Sequence, residues 1–303
     1  MRVGIPTEIK NNEYRVAITP AGVAELVRRG HDVVVQARAG EGSAIHDDDF
    51  KAAGAQIIEG PDKVWAEADL LLKVKEPIEP EYSRMRKGQT LFTYLHLAAS
   101  RPCTEALLAS GTTSIAYETV QTADGALPLL APMSEVAGRL SAQVGAYHLM
   151  RTQGGRGVLM GGVPGVAPAK VVVIGGGMAG DNAAAVAWGM GAHVTVFDLN
   201  INILRKIDAE YGGAIETRYS SRLDLEDAVK QADLVIGAVL VPGAKAPKLV
   251  TNETVAQMKP GAVLVDIAID QGGCFEDSRP TTHDEPTFKV HDAVFYCVAN
   301  MPG

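Results

Sequence analysis

The chain alternates between short runs of branched apolar residues and longer stretches in which apolar positions recur every three or four residues. Runs at 2–5, 32–36, 69–74, 90–95 and 113–117 read as strands. Between the first two, Thr19 is placed to cap a helix and Pro20 fits its first position. Val23, Leu26 and Val27 form its apolar stripe, and Gly30 stops it. This alternation predicts a parallel α/β sheet. A long helix is predicted over 134–153, with Ser134 as its N-cap and Val136, Leu140, Val144 and Tyr147 at helical spacing. It bridges the two halves of the chain. A glycine- and proline-rich loop, GGRGVLMGGVPGVAPAK at 154–170, follows it. The second half continues through strands at 171–174, 193–197, 233–239 and 262–268, with a last one near 294–298.

The strand VVVI at 171–174 runs straight into Gly175-x-Gly177-x-x-Gly180, and a helical stretch follows at once. Gly175 permits the tight turn, Gly177 lets the backbone approach a pyrophosphate, and Gly180 lets the helix pack closely on the strand. The helix N-terminus then offers free N–H groups and its positive dipole end to phosphate. The next strand ends at Asp198, eighteen residues past Gly180. An acid there accepts hydrogen bonds from the adenosine ribose and repels the additional phosphate of NADP. The second half is therefore read as a dinucleotide-binding Rossmann domain for NAD. The first strand of the chain leads instead into TEIKNN, which argues against a dinucleotide in the first half. The fold class is α/β, with two doubly wound parallel-sheet domains. Residues 1–130 form the substrate domain, and residues 131–303 form the NAD-binding domain together with the linking helix. The chain stops just after the strand VFYCVAN, which no terminal helix covers. The pattern thus predicts a poorly closed sheet and a first domain that is incomplete.

Composition narrows the functional classes. The chain has 303 residues, 47% of them hydrophobic, enough for two cores. Its net charge of −8 and the lack of a basic run argue against nucleic acid or an anionic membrane as partner. The three cysteines, Cys103, Cys274 and Cys297, form neither a disulfide framework nor a zinc pattern, so a reducing cytoplasm is expected. The N-terminal segment has no secretory apolar region, and Lys170 interrupts the best candidate for a membrane span.

Several polar residues fall just beyond strand ends, where open α/β sheets place their ligands. Arg15 lies in the first connection, Lys75 closes LLLKVK, His96 follows TLFTYL, and Asp270 follows VLVDIAI. Each also has a plain reading. Arg15 and Lys75 fit solvated surface residues, His96 between Leu95 and Leu97 fits a satisfied core histidine, and Asp270 fits a turn cap. Asp266, inside its strand, is expected to be buried and structural. Taken together, the four suit hydride transfer from an amino acid. Arginine grips the carboxylate through its fork. A second cation polarises the substrate oxygen. Histidine serves as acid and base near neutral pH, and a carboxylate orients water for an imine.

The segments RVGIPTEIKNNEYRVAITPAGV, LLLKVKEP, LFTYLHLAAS, AYETVQ, PLLAPMSEVAGRLSAQVGAYHL, GGVPGV, AVLVPGAKAPKLV, VLVDIAIDQGGC and VANMPG resemble bacterial alanine dehydrogenases, from Met1 to Gly303. The superfamily also includes the soluble part of the proton-translocating transhydrogenase. GGVPGV and AIDQGGC look like the alanine branch. The resemblance implies reversible NAD-dependent oxidative deamination of L-alanine to pyruvate and ammonium, in a cleft between the domains. It implies that Arg15 and Lys75 hold the substrate carboxylate and carbonyl oxygen, that His96 is the acid/base, and that Asp270 handles the water or amine step. It also implies cofactor contacts from Ser134 and the turn Gly175, Gly177, Met178, Ala179 and Gly180, with Asp198 at the ribose and Ser220 at the adenine side. Val239, Leu240, Ile267, Asp270, Val298, Asn300 and Met301 would surround the nicotinamide, with Arg279 nearby. Family members are commonly homohexamers.

Three departures from the family are visible. Asp181 stands in the first turn after the glycine loop and is expected to point away from the pyrophosphate. Ile203 stands where a basic residue is common. The family's C-terminal helices, which carry a metal-associated pair, have no counterpart, so no metal site is expected. The alternatives are a related 2-amino or 2-oxo acid dehydrogenase, or a shortened nucleotide-binding protein without catalysis.

Overall fold

The computed structural model describes residues 1–239 and 246–303, so the candidate residue Leu240 lies outside the described residues. The chain divides into two compact units, Met1–Leu130 and Ala131–Pro302.

In the first unit the strands are β1 (Arg2–Ile5), β2 (Asp32–Gln36), β3 (Gln56–Ile58), β4 (Leu70–Leu72), β5 (Thr90–Thr93) and β6 (Thr113–Ala116). The helices are α1 (Pro20–Arg28), α2 (Asp47–Ala52), α3 (Pro61–Glu67), α4 (Glu79–Tyr82) and α5 (Arg101–Ser110). The strands form one parallel sheet in the order β3-β2-β1-β4-β5-β6. The order reverses between β1 and β4, which is a topological switch point. Both faces are covered, as the unbroken apolar runs require. Val33 and Val35 face a core with Val3, Ile5, Val23 and Phe50, while Val34 faces a second with Trp65, Leu71 and Leu91. Each such buried side chain stabilises the fold by about 1.5–3 kcal/mol before entropy is counted. The first helix forms as the pattern predicts. Thr19 Oγ1 accepts from the Gly22 N–H at 3.3 Å, and Pro20 occupies the first turn.

The second unit begins with α6 (Ala131–His148). Its sheet then builds through β7 (Lys170–Ile174), α7 (Met178–Gly189), β8 (His193–Asp198), α8 (Ile201–Tyr211), β9 (Glu216–Tyr219), α9 (Arg222–Gln231) and β10 (Leu234–Gly237). It ends with α10 (Asn252–Ala256), β11 (Val263–Asp266), β12 (Thr287–Val290) and β13 (Ala293–Tyr296). The order is β12-β13-β11-β10-β7-β8-β9, parallel except for β12 against β13. The switch point lies between β7 and β10. Val171 and Val173 enter one core, Val172 and Ile174 the other.

The structure corrects three expectations. The predicted helix 134–153 starts at Ala131 and ends at His148, with residues 151–153 in a separate 3-10 turn. Ser134 is therefore no N-cap. Pro132 suits the first turn of a helix and moves the start upstream. Of the predicted stripe, Leu140 and Val144 pack against the core but Val136 and Tyr147 are exposed, and the fully buried face of α6 is made of the small residues Ala137, Gly138, Ser141, Ala142 and Gly145, with His148. The reason is close packing against α7, where a Cβ on Gly138 would stand 2.2 Å from the Ala179 carbonyl oxygen. The strand predicted over 69–74 is regular only to Leu72, although Lys73 and Val74 still bond β5, the Lys73 N–H donating to the Phe92 carbonyl at 3.2 Å, while the Lys73 side chain enters a buried ion pair. Finally, β13 is not an exposed last strand. It is buried along its length between β11 and the antiparallel β12.

Candidate active site

In the first unit, three candidate residues follow the carboxyl ends of strands at or beside the switch point: Arg15 after β1, Lys75 after β4 and His96 after β5. The chain is held there by buried charge. Glu8 accepts from the Val74 N–H at 2.6 Å and from Lys73 Nζ at 2.9 Å, and Lys73 also pairs with Glu81 at 2.9 Å. Burial raises the Glu8 carboxyl above its usual value, against the pull of Lys73. Burial alone would lower Lys73, but its two carboxylates outweigh it and raise it. This triad fixes the segment Lys73–Val74 and so the base of Lys75. Lys75 is only 3% exposed, and among the described residues it makes no ion pair or hydrogen bond.

Arg15 is paired with Glu13. Its Nε and Nη2 donate to the two oxygens of Glu13 at 2.7 and 2.6 Å. That uses two of the five N–H groups of the guanidinium and fixes its plane. The Arg15 charge is felt at Tyr94, whose hydroxyl is raised mainly by burial. The Tyr94 ring in turn stacks with the imidazole of His96, with centroids 5.9 Å apart and planes 15° from parallel. Arg15, Tyr94 and His96 thus form one neighbourhood. His96 is a non-glycine residue in left-handed backbone, φ 45° and ψ 43°.

In the second unit the glycine turn fits a dinucleotide. Gly175 has φ +95°, and a Cβ on Gly180 would stand 1.7 Å from the Gly175 carbonyl oxygen. The motif is therefore required by the backbone itself. A Cβ on Gly177, in contrast, would meet nothing within 4 Å, and Gly177 brings no side-chain cap to the N-terminus of α7. Open space over uncapped N–H groups is what a pyrophosphate needs. Asp181 is turned to α8, where Lys206 Nζ and the Tyr211 hydroxyl donate to it at 3.0 and 2.9 Å. Ile203 packs against the core on the same side. Asp198 stands at the end of β8, and the Ser220 N–H donates to its carbonyl at 3.0 Å, which places Ser220 beside it. Ser134 lies one turn before Gly138 on α6, the helix that packs against Ala179 at the start of α7.

Asp270 and Ile267 lie on the 3-10 turn Ile267–Gln271 after β11. Asp266 caps this turn by accepting from the Ala268 N–H at 3.0 Å. It also accepts from the Cys274 N–H at 2.9 Å and the Ser278 hydroxyl at 2.5 Å. It is 0% exposed, and burial raises its carboxyl above the usual range. Val239 follows β10, and Val298, Asn300 and Met301 follow β13, with Asn300 in left-handed backbone at φ 68°. Arg279 has its guanidinium 4.1 Å from the ring of Phe288 on the edge strand β12, and its charge is felt at Cys297, the residue before Val298. Among the described residues no group of three or more His, Cys, Asp or Glu is arranged to hold a metal ion.

The supporting acids Glu8, Glu13 and Glu118 were not singled out from the sequence. In a linear reading they look like solvated charges. Their one signal is position, each beyond the carboxyl end of a strand beside a candidate residue.

Residues 4–137 match the N-terminal domain of the alanine dehydrogenase/PNT family, and residues 141–303 match its C-terminal domain. The chain belongs to the alanine dehydrogenase/PNT family. It is 86% identical over 303 residues to an alanine dehydrogenase of Mycolicibacterium smegmatis, covering 100% of this chain and 82% of that relative. It is 80% identical over 302 residues to an alanine dehydrogenase of Mycobacterium tuberculosis strain H37Rv, covering 100% and 81%. A solved L-alanine dehydrogenase superposes with a TM-score of 0.93 at 51% identity, over 100% of this chain and 83% of that one. A transhydrogenase structure from Sinorhizobium meliloti gives 0.82 at 29% identity, over 99% and 86%. In this member of the alanine dehydrogenase/PNT family the second unit, with its glycine turn, is the dinucleotide-binding domain. No helix among the described residues is long and apolar enough to cross a membrane.

Proposed function

We propose that the chain catalyses the reversible NAD-dependent oxidative deamination of L-alanine to pyruvate and ammonium. The observation that carries this reading is Lys75, a buried lysine with no counter-charge among the described residues, placed beyond the end of β4 as Arg15 and His96 are placed beyond the ends of β1 and β5. A buried cation is costly unless an anion or a polarised oxygen completes it. A small 2-amino or 2-oxo acid supplies both. The names and identities of the relatives support alanine as that acid.

In this reading Arg15 takes the substrate carboxylate with its guanidinium, whose plane Glu13 sets. Lys75 holds the oxygen at C2. Bound NAD supplies the acceptor for the hydride that leaves the α-carbon. His96 takes the proton from the amine or the attacking water, and Asp270 orients that water. Asp198 holds the adenosine ribose. Fixing these groups before reaction removes on the order of 7–11 kcal/mol of barrier when alignment is good.

The protein is further proposed to work in the cytoplasm as a homo-oligomer. Val163 and Val166, which pair with each other across an isolated antiparallel bridge, and Leu159 are exposed and offer apolar surface to a second copy.

The deciding experiment follows NADH absorbance with L-alanine and NAD, and its loss with pyruvate, ammonium and NADH. Turnover in both directions, with other amino acids at least tenfold poorer, is expected. Stabilisation by NAD without turnover would leave only a nucleotide-binding protein, and preference for another amino acid would move the substrate within the family.

A further inference from the structure

We propose that Glu118 is the positioning residue for His96, acting through the backbone rather than on the substrate; this rests on the reading of His96 as the acid/base. The ladder of β5 ends two residues before His96. Its last contact is the Tyr94 N–H, which donates to the Val74 carbonyl at 3.1 Å. The next two N–H groups, those of Leu95 and His96, are taken by the Glu118 carboxylate. Oε1 accepts from Leu95 at 3.1 Å and from His96 at 2.7 Å, and Oε2 accepts from Leu95 at 3.2 Å. Leu95 buries its side chain in the core, so the chain must turn abruptly for His96 to leave the sheet. It does so with His96 in the left-handed region, which residues with a Cβ rarely adopt. A conformation of that kind persists only where its surroundings hold it.

Glu118 is itself fixed. It sits on the 3-10 turn Tyr117–Thr119 directly after β6, which pairs with β5 through Thr93 and Ala116. Thr119 Oγ1 donates to the Ala116 carbonyl at 3.2 Å and closes the turn. Tyr117 packs edge-on against Phe92 and Tyr94, with centroids 4.3 and 5.1 Å away. The strand that follows His96's strand in the sheet therefore supplies the carboxylate that sets the imidazole's direction.

One oxygen, Oε1, makes both short contacts, and this gives a test. Glu118→Gln keeps an acceptor oxygen at full reach and removes the charge. Glu118→Asp keeps the charge and withdraws it by one carbon. Both are compared with Glu118→Ala, His96→Ala and the double variant Glu118→Ala/His96→Ala in pyruvate reduction, with NADH affinity read by fluorescence. Glu118→Gln is expected to keep kcat within about threefold. Glu118→Asp and Glu118→Ala are expected to lose about 10–100-fold, the scale of a 1 Å misplacement, with NADH affinity unchanged.

The double variant is expected to be no worse than His96→Ala, since Glu118 acts only through that residue. Glu118→Gln falling as far as Glu118→Asp would overturn the proposal, and so would losses that multiply in the double variant. Should Glu118→Ala not fold, the order of the Gln and Asp variants still decides. Wild-type turnover by His96→Ala would instead overturn the reading of His96 itself.

Discussion

The Gly176 backbone N–H donates to Asp198 Oδ2 at 2.7 Å, so the acid assigned to the ribose also fastens the glycine turn. The other oxygen, Oδ1, accepts from the Asn200 N–H at 2.7 Å and holds the entry to α8. One carboxylate ties together the carboxyl ends of β7 and β8.

That double duty separates two variants. Asp198→Asn keeps one acceptor oxygen for the turn but loses the charge that excludes a 2′-phosphate. It is expected to narrow the preference for NAD over NADP, and because its amide nitrogen cannot accept from the second N–H it should lower stability, though less than Asp198→Ala does. Asp198→Ala strands both N–H groups and should also lower stability by about 1–3 kcal/mol. Coenzyme kinetics and urea unfolding check the two effects. Unchanged discrimination in both variants would remove Asp198 from the ribose site.

Arg15 is presented by Glu13, and the presentation depends on the guanidinium fork. Arg15→Lys keeps the charge but cannot serve Glu13 and a substrate carboxylate at once. The KM for L-alanine and for pyruvate should rise about 10–100-fold, the value of one charge-assisted hydrogen bond to a substrate. NAD affinity should not move. Equal KM values in the variant would return Arg15 to a purely structural pairing with Glu13.

The central strands, the first helix and the glycine turn were legible because each is a local signal: branched apolar runs, a Thr-Pro start, glycines at fixed spacing. What escaped was set by tertiary contact. β3, β9 and β12 escaped because they are edge strands in which polar residues break the apolar run. The buried face of α6 could not be found by looking for large apolar residues, because close approach to α7 selects small ones. Arg15, Lys75, His96 and Asp270 were visible as polar residues beyond strand ends. Glu8, Glu13 and Glu118 were not, since a buried carboxylate and a solvated one look alike until the partner donors are placed.

The Glu8–Lys73–Glu81 triad carries more negative than positive charge inside the protein, with Lys73 only 1% exposed. Lys73→Met removes the sole cation from two buried carboxylates and should cost about 3–5 kcal/mol. Burial already raises Glu8 above 4.5, its ordinary value. A carboxyl raised on folding contributes its full stability below its unfolded value and loses it as pH rises through the folded value. Without Lys73 the rise is greater, so the deficit of the variant should be smaller at pH 5 than at pH 8. Urea unfolding at the two pH values reads this directly. A deficit independent of pH would show that lost packing, not stranded charge, dominates.

His148 closes α6 with its ring 5.5 Å from that of Tyr296 and 5.1 Å from that of Tyr147, and its buried Nδ1 has no hydrogen-bond partner among the described residues. Burial lowers its pKa from 6.5, with no carboxylate to offset it. Between the folded value and 6.5 the unfolded chain binds a proton that the folded chain refuses. Stability therefore rises with pH across that window and is lost as pH falls through it. His148→Phe keeps the aromatic packing and has nothing to protonate. Its unfolding free energy should be flatter than that of the wild type from pH 7 down to the folded value, and the variant should gain most at the acid end. A wild-type slope retained in His148→Phe would place the acid sensitivity of the second unit on another group.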